Sequence, residues 1–171
     1  MGTPAMLSEN AKDLEVLTFG LDGEIFAVEA ESVREILDLV AVTAVPNSRP
    51  FVNGLINVRG KVVPLADLHI RFGMDPFSQS IDTRVVVIEV PLDGAPTTIG
   101  IIADKVFEVT NLAAASMEEA PDIGLKWRRE FIAGIGKRDQ DFVIILDMEH
   151  IFATQAAKAA SRPEDDATEK S

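Results

Sequence analysis

Phe51-Val52-Asn53-Gly54-Leu55-Ile56-Asn57-Val58-Arg59-Gly60-Lys61-Val62-Val63-Pro64-Leu65-Ala66-Asp67 lies at the centre of a longer stretch, Val45 to Gly73, on which the reading of the fold turns. Its middle, Asn57-Val58-Arg59-Gly60, sets two polar side chains and a glycine between the apolar runs Leu55-Ile56 and Val62-Val63. That pattern predicts a tight hairpin: two buried strands joined at a glycine free to take positive φ, with Pro64 and Asp67 ending the second strand. An arginine at such a corner is pinned rather than loose.

Asp67 to Phe72 reads as a short amphipathic turn closed by Gly73. Upstream, residues 1–13 form a polar, disordered lead-in. Leu14 to Phe19 and Glu24 to Val28 flank the turn signal Leu21-Asp22-Gly23 and predict a first hairpin. In Ala30 to Leu37 the period changes. Val33, Ile36 and Leu37 fall at i, i+3 and i+4, which predicts a short helix with Glu35 off its apolar face. Val40 to Val45 reads as a third strand, stopped by Pro46.

Downstream, residues 74–81 are a linker. Thr83 to Leu92 reads as a long buried strand, Asp93-Gly94 as its turn, Thr97 to Ala103 as its return and Val106 to Leu112 as a further strand. Ala113 to Arg129, with the acidic pair Glu118-Glu119, Pro121, Asp122, Gly124 and Trp127, reads as a long exposed loop. Phe131 to Gly136 and Phe142 to Met148 predict a last hairpin across Arg138-Asp139-Gln140. Residues 149–160 read as a C-terminal helix and 161–171 as a disordered acidic tail.

About ten short strands, with helices only as accessories, argue for small barrels or a sandwich. Two halves, approximately 14–73 and 82–148, each offer hairpin, strand and hairpin. Two five-stranded barrels packed together are a natural way to close the sheet edges.

Composition narrows the function. The 171 residues are 47% hydrophobic and 26% charged, enough for one ordinary domain with a sizeable core. No run approaches a membrane span, and the first residues lack the basic and apolar regions of a secretion signal, so the cytoplasm is expected. The chain has no cysteine, which removes disulfides, thiolate metal sites and cysteine nucleophiles. Its net charge is −12, and without residues 1–13 and 161–171 it is still −9. A body of that sign repels phosphate backbones and anionic lipid, leaving proteins as the expected partners rather than nucleic acid or membrane.

The catalytic inventory is thin. The two histidines, His69 and His150, both read as solvated surface histidines. Asp67, His69 and Arg71 would share one face of a strand, but a helical segment would disperse them. Gly134 and Gly136 lack the spacing of a phosphate loop and read as a bulge or a close approach of backbones. No nucleophile elbow or paired carboxylate stands out, so no enzyme is expected and no cofactor or metal is implied. Trp127, between Lys126 and Arg128-Arg129, has two readings: an anchor for a partner, or a side chain folded back to cap a barrel.

Val45-Pro46-Asn47, Phe51 to Gly60, Val63-Pro64-Leu65-Ala66-Asp67-Leu68 and Phe72-Gly73 together resemble the signature of the CheW family of bacterial chemotaxis coupling proteins. Val33-Arg34-Glu35-Ile36, Gly100 to Val106 and Phe131 to Gly136 resemble further family motifs, and the likeness spans about 14–155, which would be a single CheW-like domain. The resemblance implies two intertwined five-stranded SH3-like β-barrel subdomains sharing a hydrophobic core, with short accessory helices and a C-terminal helix.

It also implies a non-enzymatic adaptor that bridges the signalling tips of methyl-accepting chemoreceptors to the regulatory domain of the histidine kinase CheA. Such adaptors sit in cytoplasmic or membrane-associated receptor arrays, where copies also meet within rings. Carried over by position, the receptor contacts would be Val33, Glu35, Ile36, Asn57, Arg59, Gly60, Val106 and Val109, with Arg59 and Glu35 paired. A partly buried pair better explains an arginine at a fixed corner than a solvated one. The kinase interface would involve Glu118, Asp122, Ile123 and Trp127, although the acidic Glu118-Glu119 and Trp127 depart from the family pattern. The alternative is an adaptor of the same family in a parallel pathway, such as pilus motility or polar array positioning.

Overall fold

A computed structural model of the chain describes residues 13–39, 41–44, 52–119, 129–138 and 140–152. Ten strands form two five-stranded sheets. The first sheet runs β8-β1-β2-β10-β9 and the second β3-β6-β7-β5-β4. The strands are β1 (Leu14–Leu21), β2 (Glu24–Glu29), β3 (Val33–Asp38), β4 (Val52–Val58), β5 (Lys61–Ala66), β6 (Arg84–Leu92), β7 (Ala95–Ala103), β8 (Lys105–Leu112), β9 (Ile132–Arg138) and β10 (Asp141–Leu146). One short helix, α1 (Leu68–Arg71), follows β5, and residues 148–152 are helical.

The strands are rich in unbroken apolar runs because many are buried on both faces, and period-two alternation sends neighbours to different cores. On β6, Val85 and Val87 line the interior of the second sheet, while Val86, Ile88 and Val90 join a core shared by both sheets. On β10, Val143 and Ile145 line the interior of the first sheet, while Ile144 and Leu146 enter the shared core. Phe26, Phe72 and Phe131 pack in series there, with ring centroids 5.7 and 5.9 Å apart.

Each sheet curls until its ends meet. In the first, Gly136 on β9 lies so close to β8 that an added Cβ would stand 2.9 Å from Leu112 Cδ1. The room at Gly136 is therefore for a side chain rather than a backbone. At Gly134, the expected irregularity occurs as a register shift between Ile145 and Leu146, opposite Gly134 and Ile132. In the second sheet, Leu37 of β3 packs into the same interior as Ile56 and Val58 of β4, although these strands are the two ends of the strand order.

Three expectations change. The helix over Ala30 to Leu37 is instead a 3-10 turn, Ala30–Ser32, followed by strand β3. A register shift between Val33 and Glu35 puts Val33 against the shared core and Leu37 inside the barrel, so a bulged strand mimics helical spacing. The strand over Val40 to Val45 reduces, in its described part 41–44, to one bridge between Thr43 and Leu55; residues 40 and 45 lie outside the described residues. Pro64 does not end β5, because pairing with β7 begins at Leu65, one residue beyond the missing N–H.

The halves 14–73 and 82–148 also fail to coincide with the sheets. β8, β9 and β10 complete the sheet that holds β1 and β2, while β6 and β7 sit between β3 and β5. The parallel pairings β2 with β10 and β5 with β7 stitch the two stretches together. The expected lead-in 1–13, apart from Asp13, lies outside the described residues, as do residues 153–160 of the expected helix and the tail 161–171.

Candidate functional site

The hairpin at the centre of the sequence closes in two residues, Arg59 and Gly60, between the paired Val58 and Lys61. Both have positive φ, 54° and 85°, the geometry of a turn whose twist matches its strands. Asp22-Gly23 and Asp93-Gly94 make the same kind of turn. Aspartate tolerates that conformation; arginine does so less readily. Asn57 supports the corner, its Oδ1 accepting the Gly60 N–H at 2.8 Å.

Arg59 reaches from this corner to β3. Its Nε and Nη2 donate to the two carboxylate oxygens of Glu35 at 2.9 and 3.2 Å. In a flat sheet β3 and β4 would be about 19 Å apart; the two-pronged contact is made because the sheet has closed. The pair is asymmetric: the Arg59 side chain is 79% exposed and that of Glu35 22%. The hydrogen bond to Glu35, followed by its charge, raises the Arg59 pKa. The expected partly buried pair is thus a half-buried carboxylate holding an exposed cation at the mouth of the barrel. Ile36, the next residue on β3, is exposed, whereas Val33 packs on the shared core.

Val106 and Val109 lie on β8, at the end of the other sheet. Val106 packs against the shared core, as Val33 does, and Val109 is exposed. The structure thus joins Glu35, Asn57, Arg59 and Gly60 into one corner and sets Val106 and Val109 on a separate strand. Of the expected kinase-facing residues, Glu118 is described. Its side chain is exposed, but its backbone forms two hydrogen bonds with Ile135 of β9, at 2.9 and 2.8 Å, so the chain there is bound to the sheet rather than a free loop. Asp122, Ile123 and Trp127 lie outside the described residues, and both readings of Trp127 with them.

His69 is not a solvated surface histidine. It is 3% exposed, with Nδ1 2.6 Å from Asp67 Oδ1 and Nε2 2.9 Å from Asp104 Oδ1. Asp67 caps α1 by accepting the His69 N–H at 3.0 Å, and this capping brings together two residues that a regular helix would separate. In the sequence Asp67 to Phe72 reads as a short amphipathic turn, which carries no sign of this pairing. Asp104 comes from the β7–β8 corner and could not be read locally. Both ring nitrogens of His69 are thus engaged by carboxylates. His150 is exposed, and its Nδ1 lies 2.7 Å from Asp147 Oδ2. Among the described residues no group of three or more His, Cys, Asp or Glu side chains is arranged to hold a metal, and no helix is long and apolar enough to cross a membrane.

Comparison with known proteins points to one family. The profile described as "CheW-like domain" matches residues 15–156. A probable chemotaxis protein CheW of Rhizobium etli is 30% identical over 156 residues, covering 91% of this chain and 98% of that protein. Protein PilI of Pseudomonas aeruginosa is 28% identical over 144 residues, covering 84% and 78%. Among solved structures, the scaffolding protein TtCheW of Thermoanaerobacter tengcongensis superposes with a TM-score of 0.73 at 31% identity, covering 82% of this chain and 88% of that one.

Proposed function

The chain belongs to the CheW-like domain family, and on that premise we propose that it is a non-enzymatic adaptor coupling chemoreceptor signalling tips to the histidine kinase CheA. The observation that carries the proposal is the Arg59–Glu35 corner. A cation is held by a two-pronged contact at the mouth of one barrel, on a turn that backbone geometry fixes, and most of its surface faces outward. Such an arrangement recognises a partner without chemistry, because the cost of ordering the arginine is already met within the fold.

In this proposal Val33, Glu35, Ile36, Asn57, Arg59, Gly60, Val106 and Val109 form the receptor side. Glu118 forms the kinase side with Asp122, Ile123 and Trp127. Each contact is modest alone, and repetition in an array, with copies meeting in rings, converts weak binding into avidity. A shift at the receptor side then biases the neighbouring kinase by differential affinity for its two states. The site of action in this proposal is the cytoplasm, at membrane-associated or cytoplasmic receptor arrays. The acidic net charge of −12 adds selectivity against wrong partners rather than affinity.

A pull-down with the cognate kinase's regulatory domain and a receptor signalling tip tests the proposal: capture of both is expected, and capture of neither removes it. The likeness to PilI favours a second reading, in which the same scaffold serves the receptor and kinase of a parallel pathway such as pilus motility. Running the pull-down with each candidate kinase separates the two readings.

A further inference from the structure

His69 faces a carboxylate oxygen on each side of its ring. A neutral imidazole has one N–H and one lone pair, and an ionised carboxylate only accepts. With both carboxylates ionised, both contacts are satisfied together only when the ring carries two protons. The other charged groups around it favour that state. Asp22, from the β1–β2 turn, and Asp75, from the 74–81 segment, line with His69 and Asp104 a cleft of about 240 Å³ that has no lysine or arginine among its described lining residues. Arg71 of α1 lies over the Phe131 ring instead, and Lys105 over Phe107.

The two carboxylates are not equivalent. Asp67 is 1% exposed and also accepts the backbone N–H groups of His69 and Phe77, at 3.0 and 3.2 Å. Asp104 is 34% exposed and accepts the Asp22 N–H at 2.7 Å. A neutral ring keeps its proton toward Asp67 and turns a lone pair toward Asp104, whose carboxylate can then move into water. Asp67 and His69 follow β5 of one sheet, whereas Asp104 starts the corner into β8 of the other and binds the β1–β2 turn.

We propose that His69 is a proton-dependent clasp between the two barrels: doubly protonated, it holds the β7–β8 corner through Asp104, and on losing a proton it releases that corner. The release is local, because Asp104 N–H remains bound to Gly20 O at 2.9 Å. Burial pulls the His69 pKa down, but hydrogen bonds to Asp67 and Asp104, with their charges, outweigh it and hold the value above that of an ordinary histidine. A raised value in the folded state means that the clasp stabilises fully below the unfolded histidine pKa and is lost as pH rises through the folded one.

Imidazole-nitrogen NMR spectra of the full chain, recorded from about pH 6 to about pH 9, test the clasp. The expected result is a His69 ring with two N–H groups at neutral pH, and Asp22 and Asp104 amide shifts that follow its titration. His69→Arg keeps donors on two sides without titrating, so the alkaline fall in melting temperature of the parent protein should flatten in this variant. A singly protonated ring at neutral pH overturns the proposal, as do amides indifferent to its titration or an equal alkaline fall in His69→Arg. If His69→Arg does not fold, the spectra of the parent protein decide alone.

Discussion

Arg59 occupies a backbone conformation that costs arginine more than glycine or asparagine, and its side chain is mostly in water, so little of it serves the fold. Arg59→His should therefore reduce capture of the receptor tip while leaving the circular dichroism melt close to that of the parent. A collapsed melt whose folded fraction binds normally would count against this role. Arg59→Asn, better suited to positive φ, should bind as weakly and melt no lower. Asn57 serves the fold as well as the receptor side: Asn57→Ala removes the acceptor for the Gly60 N–H and should cost about 0.5–1.5 kcal/mol in urea unfolding. This corner was legible in the sequence because turn chemistry is local. His69 was not, since one of its two partners lies 35 residues away and the other depends on a cap rather than on strand or helix periodicity.

At the level of elements, the strands buried on both faces were the legible ones, because β6 and β7 read as apolar runs whatever core each residue enters. β3 resembles a helix in sequence because its bulge reproduces helical spacing, and the crossing segment at Thr43 has no legible period because a single bridge imposes none. Gly54 is where that crossing becomes a constraint. It has φ 155°, and a Cβ there would stand 2.3 Å from Thr43 O and 2.9 Å from Thr43 C, both backbone atoms that cannot swing aside. Gly54→Ala should destabilise the protein by at least about 1–3 kcal/mol. Amide exchange would show the loss first at the two hydrogen bonds between Thr43 and Leu55, and an unchanged exchange pattern there would refute the steric account.

Across the whole molecule, the barrels are legible in the sequence and the pairings that weave them are not, because contacts such as Leu65 with Gly100 and Phe26 with Ile144 leave no local trace. The weave has an energetic consequence. β1, β2, β6, β7 and β10 all send side chains into the shared core, so neither barrel keeps its outer wall without the other. Phe131, fully buried there between Phe72 and the Arg71 guanidinium, should cost about 3–5 kcal/mol as Phe131→Ala and lower one cooperative transition rather than split it. A sharper test cuts the chain in the linker between Gly73 and Asp82. A fragment of residues 14–73 retains β1 to β5 but loses β10 from beside β2 and β7 from beside β5, while 82–148 retains β6 to β10 without β1 to β5. Each fragment then exposes an unpaired edge and half of a core in both sheets. Alone, each should give the collapsed amide spectrum of an unfolded chain, and an equimolar mixture should recover dispersed resonances from both. A dispersed spectrum from either fragment by itself would mean that one barrel is an independent domain, and the shared core would then be an interface rather than the centre of the fold.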